Sequence, residues 1–274
     1  MGLSLTQHLI ALGLVMLDVV LRGLRITRML PVPLLRAMVV NTCGDALAAV
    51  TPARAGGEPL RFVAFERDSS AGAVLAAFVT ETGVDAVLIV AVTVVIVALK
   101  GGHWTRLTGA LSSLHLAGWW WVAAAGGCLV AVAPWIRRRW AAVSRSVREG
   151  WHILLNRPWR VLASVSGLTL LSMAARTAIL PVLAGHLPGL SLAGVVAGSF
   201  ALVFVQSILP TPAGAGPVEL GFVAGFAGAI DHQQLLTLLL AWRIYTIGLG
   251  GLVGGLLMWG AARKALVGSP VSAD

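Results

Sequence analysis

Two short stretches concentrate almost everything polar that this chain could use for chemistry. The first, "TPARAGGEPLR" from Thr51 to Arg61, holds two prolines, adjacent glycines, Arg54, Glu58 and Arg61. Pro52 ends an incoming helix, and Gly56-Gly57 permit a sharp turn with close backbone approach. Glu58-Pro59 opens a new helix, with Glu58 at the positive end of its dipole. Free N–H groups at such a helix start can bind phosphate or carboxylate, and Arg54 and Arg61 add the planar guanidinium suited to bidentate phosphate contact. The structural alternative is a capped hairpin with a Glu–Arg pair.

The second stretch, "PTPAGAGPVE" from Pro210 to Glu219, repeats the logic. Pro210 and Pro212 break the incoming helix, and Gly214 and Gly216 make the turn. Pro217 takes a first helical position, and Glu219 sits in the first turn. The alternative here is a glycine-rich break for tight helix packing. Between the two motifs, Glu81 and Asp85 stand at i and i+4, on one face of an apolar segment. Two neighbouring acids at that depth need cations or a shared proton. Arg61, Arg176 or Arg243 could supply the cation, and a shared proton would make the pair a coupling site. The alternative is a structural ion network. Asp18 and Asp45 are weaker candidates near the edges of their segments.

The elements that must position these residues are apolar. Of 274 residues, 58% are hydrophobic and only 11% charged, and the mean hydropathy is +0.89. A water-soluble domain of this size cannot hide that much apolar surface, so the class is a polytopic α-helical membrane protein. No alternating strands suggest a membrane barrel. Apolar segments run over Leu5–Leu21, Leu34–Phe65 (weakly apolar and broken by the first motif), Ala71–Leu99, Leu107–Ile136 with a Trp119-Trp120-Trp121 cluster, Val161–Leu183, Leu192–Leu209, Val218–Ile230 and Leu235–Ala262. The net charge is +9. Arginines cluster at the ends of apolar runs, which fits orientation and anionic headgroups rather than nucleic acid. The stretch from Arg137 to Arg160 carries seven arginines, with Trp140, Val143, Val147, Trp151 and Leu154 at helical spacing. It reads as a cytoplasmic amphipathic helix lying in the interface.

With that segment inside, charge bias sends the first motif in from the cytoplasmic face and back. It sends the second in from the opposite face, and leaves Arg263-Lys264 and the C-terminus inside. The chain therefore reads as an all-α polytopic membrane bundle, one domain over residues 1–274. It has two opposed re-entrant, broken-helix hairpins at about 34–66 and 192–230, the layout of an inverted-repeat transporter. No cleavable signal is expected at the N-terminus. Cys43 and Cys128 suggest no disulfide framework, and the six histidines have no metal-ligand spacing. Nucleophile elbows and Walker loops are missing. No catalytic residue, metal or cofactor is expected.

Four motifs carry a family resemblance: "NTCGD" with "TPARAGGEPLR" (Asn41–Arg61), "ETGVD" (Glu81–Asp85), "LPTPAGAGPVE" (Leu209–Glu219) and "WRIYTIGLGGLVGG" from Trp242. In order and separation they resemble the lysylphosphatidylglycerol synthase transmembrane-region family, flippase-like integral membrane proteins. The resemblance covers nearly the whole chain. It implies substrate-binding positions at Arg54, Gly57, Glu58, Arg61, Glu81, Asp85, Pro212, Gly214, Gly216, Glu219 and Arg243. Family members often have Arg directly after the first acid of the second motif; here Thr82 leaves Glu81 dependent on a distant cation. Members often pair the two glycines of the second hairpin, which here are split as "AGAG". The synthases carry a soluble aminoacyl-transferase domain after the membrane part. No such domain follows in these residues, so the resemblance implies lipid translocation without aminoacylation.

The expected activity is movement of an anionic, aminoacylated or polyprenyl-phosphate lipid between leaflets of the cell's inner (plasma) membrane. Arg54, Arg61 and Arg243 would hold phosphate, and Glu58, Glu81, Asp85 and Glu219 would balance charge. A lysyl-lipid would instead be held by the acids. The alternatives are a non-catalytic scaffold of a lipid-modifying or glycosyl-transfer system, docked through the Arg-rich helix, and a membrane-embedded enzyme using Glu81 and Asp85. The expected partners are membrane lipids, with no nucleic acid. A homodimer through the glycine-rich "GLGGLVGG" face, or a lipid-enzyme partner, is a further expectation, although that face could equally pack within one chain.

Overall fold

The computed structural model describes residues 3–52, 54–100, 152, 156–185, 191–207, 209, 211–226 and 229–267. The Trp119–Trp121 cluster and the Arg-rich run up to Arg148 lie outside the described residues. The end of that run, Trp159-Arg160, begins a helix.

Among the described residues the chain is helical throughout. Helix α1 spans Leu5–Thr27 and starts at Ser4, whose hydroxyl and backbone share a capping box with Gln7. It runs past Leu21, where the apolar segment was expected to end, because Arg22 and Arg25 continue the helix and find acidic partners on neighbouring helices. Helices α2 (Leu34–Val50) and α3 (Gly57–Glu66) fold against each other around the first motif. Thr51 stitches the turn: its hydroxyl donates to Leu47 O (2.8 Å) and accepts from the Gly56 amide (2.9 Å). Gly57 is a contact point, because a Cβ there would meet Gly44 O at 2.8 Å. Helix α4 covers Ala71–Lys100.

Helix α5 (Trp159–Ala184) lies beside α1. Gln7 of α1 donates to Val182 O and Leu183 O, and Arg25 donates to Thr169, so the two helices run antiparallel. Helices α6 (Leu192–Val205) and α7 (Pro217–Phe226) flank the second motif. Helix α8 (His232–Arg243), capped by Asp231, passes through a π turn at Ile244–Gly248 into α9 (Leu249–Val267). The last apolar segment, expected to be one continuous helix, is therefore wound differently at its middle.

Two apolar cores result. One joins the ends of α1 and α5 to α6, α7 and α8 around Phe222 and Trp242, and the other joins α1–α4 around Phe65 and Val74. Each core underlies one broken hairpin, and the α1–α5 pair belongs to both. Three helical stretches are long and apolar enough to cross a membrane: Ala71–Ala98, Trp159–Ala184 and His232–Arg263. The glycine-rich start of α9 packs on α2 within the chain, since a Cβ on Gly254 would fall 2.1 Å from Thr42 O.

Candidate functional site

The two motifs build the same turn. Thr51–Gly56 reads TPARAG and Thr211–Gly216 reads TPAGAG. In the first, the Arg54 amide donates to Thr51 O (3.2 Å) and the Ala55 amide to Pro52 O (3.0 Å). In the second, the Gly214 amide donates to Thr211 O (3.1 Å) and the Ala215 amide to Pro212 O (2.9 Å). Arg54 (φ 57°) and Gly214 (φ 70°) occupy equivalent left-handed positions. Pro52 and Pro212, also equivalent, form an isolated antiparallel bridge. The tips of the two broken hairpins meet there.

Beside the first tip lies a cavity with about 630 Å³ of empty space, part of it open to the outside. Asp18 and Arg22 of α1, Asp45 of α2, Arg54 of the turn, Arg176 of α5 and Gln206 after α6 line it, with Tyr245 and Thr246 of the π turn. Arg22 grips Asp45 with both terminal nitrogens, one of them at 3.0 Å, and its Nε lies 3.2 Å from Asp18. Asp18, only 5% exposed, also accepts from the Ser172 hydroxyl and from Arg176 Nε (2.9 Å). Arg54 reaches Asp45 at a long 3.4 Å. Arg54 and Arg176 each retain guanidinium N–H groups with no partner among the described residues. Three arginines face two aspartates, so the cavity wall carries an excess positive charge.

One turn further along α1 a second network forms. Glu81 is 6% exposed and takes Arg25 on one oxygen and Arg61 on the other, the latter at 2.6 Å. Arg25 also donates to Asp85 (2.5 Å) and Thr169 (2.9 Å). Arg61 also donates to Glu58 (2.8 Å) and stacks over the Phe78 ring. So Arg61, one of the three cations weighed for these acids, is a partner of Glu81. Arg176 and Arg243 go elsewhere, and Arg25, which the sequence reading passed over, bridges Glu81 and Asp85. Arg25 and Arg61 supply the distant counter-charge that Thr82 cannot. Around the second tip, Arg243 pairs with Glu219 and donates to Ala213 O (2.9 Å), while Glu219 accepts from the Gly216 amide (2.7 Å).

The eleven candidate positions thus fall into three places. Arg54 faces the cavity. Glu58, Arg61, Glu81 and Asp85 form one buried network, against which Gly57 brings α3 close to α2. Pro212, Gly214, Gly216, Glu219 and Arg243 make the second tip. Asp18, Asp45 and Arg22 turn out to be central rather than marginal, and Arg176 and Gln206 complete their cavity. A membrane-depth charge in an apolar helix was the available signal for Arg176; Gln206 gave none.

A bundle of apolar helices around buried ion networks, with broken hairpins meeting at their tips, is the construction of an integral membrane protein. Residues 3–254 match the family model described as the lysylphosphatidylglycerol synthase TM region, and the chain belongs to that family. No curated protein matches the chain.

Proposed function

We propose that this protein moves a lipid with a phosphate-bearing headgroup between the leaflets of the cell's inner membrane. The observation that carries the proposal is the meeting of twin turns at Pro52 and Pro212 beside a charged cavity. Irregular backbone is tolerated at membrane depth only where protein buries it or a wet cavity adjoins it. Equivalent residues that pair with each other mark a local two-fold relation, as at any self-complementary contact. This supports two re-entrant hairpins, about 34–66 and 192–230, belonging to inverted repeats, with α1 and α5 as the antiparallel counterparts between them. Transporters of that plan bind substrate where their helices are broken.

The headgroup enters the cavity while the tails remain in lipid. An excess of arginine over aspartate favours an anionic headgroup over a lysyl one held by acids. Arg54 is the phosphate contact of the original trio. Arg61 and Arg243 already bind carboxylates and shape the hairpins instead. Glu81, held by two guanidiniums, serves as counter-charge, which speaks for transport rather than acid–base catalysis. The C-terminus lies in the cytoplasm, as the positive-inside bias of Arg263-Lys264 favours.

The test is transbilayer movement of headgroup-labelled phospholipids and polyprenyl phosphates in proteoliposomes. Movement with the wild-type protein, lost in folded Arg54→Gly, is the expected result. No movement of any lipid under imposed pH and voltage gradients would overturn the proposal.

A further inference from the structure

Gln206 is the polar residue of the cavity that the ion networks leave over. It is only 4% exposed, and its side-chain NH₂ donates to Val203 O at 2.7 Å. Only the NH₂ end of a carboxamide can donate to a carbonyl, so this bond fixes which way round the amide lies. Its Oε1 is buried without any hydrogen-bond partner, and the residue lines the cavity that Arg54 and Arg176 also line. A buried acceptor left unmade costs about 1–3 kcal/mol. Arg54 and Arg176 make the complementary demand, for an acceptor of negative charge.

We propose that the cavity is a subsite for a phosphate ester bearing a hydroxyl group on its alcohol. Arg54 and Arg176 take the phosphate oxygens, and Gln206 Oε1 accepts from the hydroxyl. Asp18 and Asp45 hold Arg22 and Arg176 in place, and their carboxylates lie on the side of the guanidiniums that the phosphate does not use. This deepens the proposed function and rests on its placing of the headgroup in this cavity. It separates polyol phosphate headgroups from a bare polyprenyl phosphate, which offers Gln206 no alcohol. The same chemistry could arrive on a lipid or as a free phosphate ester.

Binding, not transport, tests it. The full chain is placed in phosphatidylcholine nanodiscs, and a headgroup-labelled phosphatidylglycerol is displaced by unlabelled competitors. Phosphatidylglycerol and phosphatidylmethanol carry the same phosphodiester charge, but only the first has hydroxyls. The wild-type protein should prefer the glycerol lipid by about tenfold, the factor expected of one hydrogen bond. Gln206→Leu, or the unbranched Gln206→Met should the first fold poorly, should abolish the preference while keeping affinity for phosphatidylmethanol. Arg176→Gln should weaken both lipids about equally. sn-Glycerol 3-phosphate in solution separates the sources: displacement at concentrations matching the lipid assigns the free ester, and none assigns the membrane-bound headgroup. Equal affinity for the two lipids in the wild type, or a preference that survives both Gln206 substitutions, overturns the proposal. Neither result bears on whether the protein moves lipid, which the proteoliposome assay reads separately.

Discussion

Pro52 and Pro212 face each other across an antiparallel bridge, each at the same position of the same turn. Proline has no N–H, so the bridge is made through the flanking residues. In that kind of pair the Cα atoms stand about 4.5 Å apart, within disulfide range. A Pro52→Cys/Pro212→Cys protein, with Cys43 and Cys128 replaced by alanine, should cross-link on mild oxidation. If the hairpins move against each other during transport, the oxidised protein should move no lipid and recover with reductant. Full transport by a completely cross-linked protein would show that the tips stay together throughout the cycle.

Arg54 sits where its counterpart is Gly214, in a left-handed conformation that costs a residue with a Cβ about 1–2 kcal/mol. Its ion pair with Asp45 is long, at 3.4 Å, and offsets little of that. A cation kept at a strained position marks a functional demand. Arg54→Gly should therefore leave thermal stability unchanged or raise it by up to about 1 kcal/mol, while abolishing lipid movement. Thermal unfolding in detergent and the proteoliposome assay read the two effects separately. A large loss of stability would make Arg54 a structural residue.

Glu81 is the acid on which two buried guanidiniums depend. Glu81→Gln leaves Arg25 and Arg61 with no full counter-charge between them, and breaking a buried pair from one side costs about 3–5 kcal/mol. Asp231→Ala, which removes only the cap of α8, should cost about 1 kcal/mol. Comparing the unfolding midpoints of the two variants decides it. Glu81→Gln no worse than the cap variant would mean that the network is open to water.

What the sequence made legible was local. The prolines and glycines of both motifs announced the helix breaks, and the lengths of α4 and α5 followed from uninterrupted apolar runs. Partnership was not legible. Arg22 and Arg25 looked like the charged end of a first segment, because nothing within α1 shows that Asp45, Glu81 and Asp85 wait on other helices. Asp18 looked marginal for the same reason: its partners Ser172 and Arg176 are more than 150 residues away. The π turn also left no mark, since its residues are as apolar as their neighbours. The "GLGGLVGG" stretch was legible as a packing face, but not as to what it packs on.

Two neighbouring glycines of that stretch give the last prediction. A Cβ on Gly254 would meet the Thr42 carbonyl oxygen at 2.1 Å and its carbon at 2.8 Å. Both are backbone atoms of a helix, so no rotamer change can relieve the clash and α9 would have to move off α2. Overpacking of this kind costs about 1–3 kcal/mol or more. Asp45 and Arg54 would shift with α2, so Gly254→Ala should also weaken headgroup binding. A Cβ on Gly255 meets nothing within 4 Å, and alanine is the better helix former by about 1 kcal/mol. Gly255→Ala should therefore be neutral or stabilising, with binding unchanged. Thermal unfolding of the two variants side by side checks the seam. Equal tolerance at both positions would mean that α9 does not pack on α2 in the membrane, and that its glycine face is free for another chain.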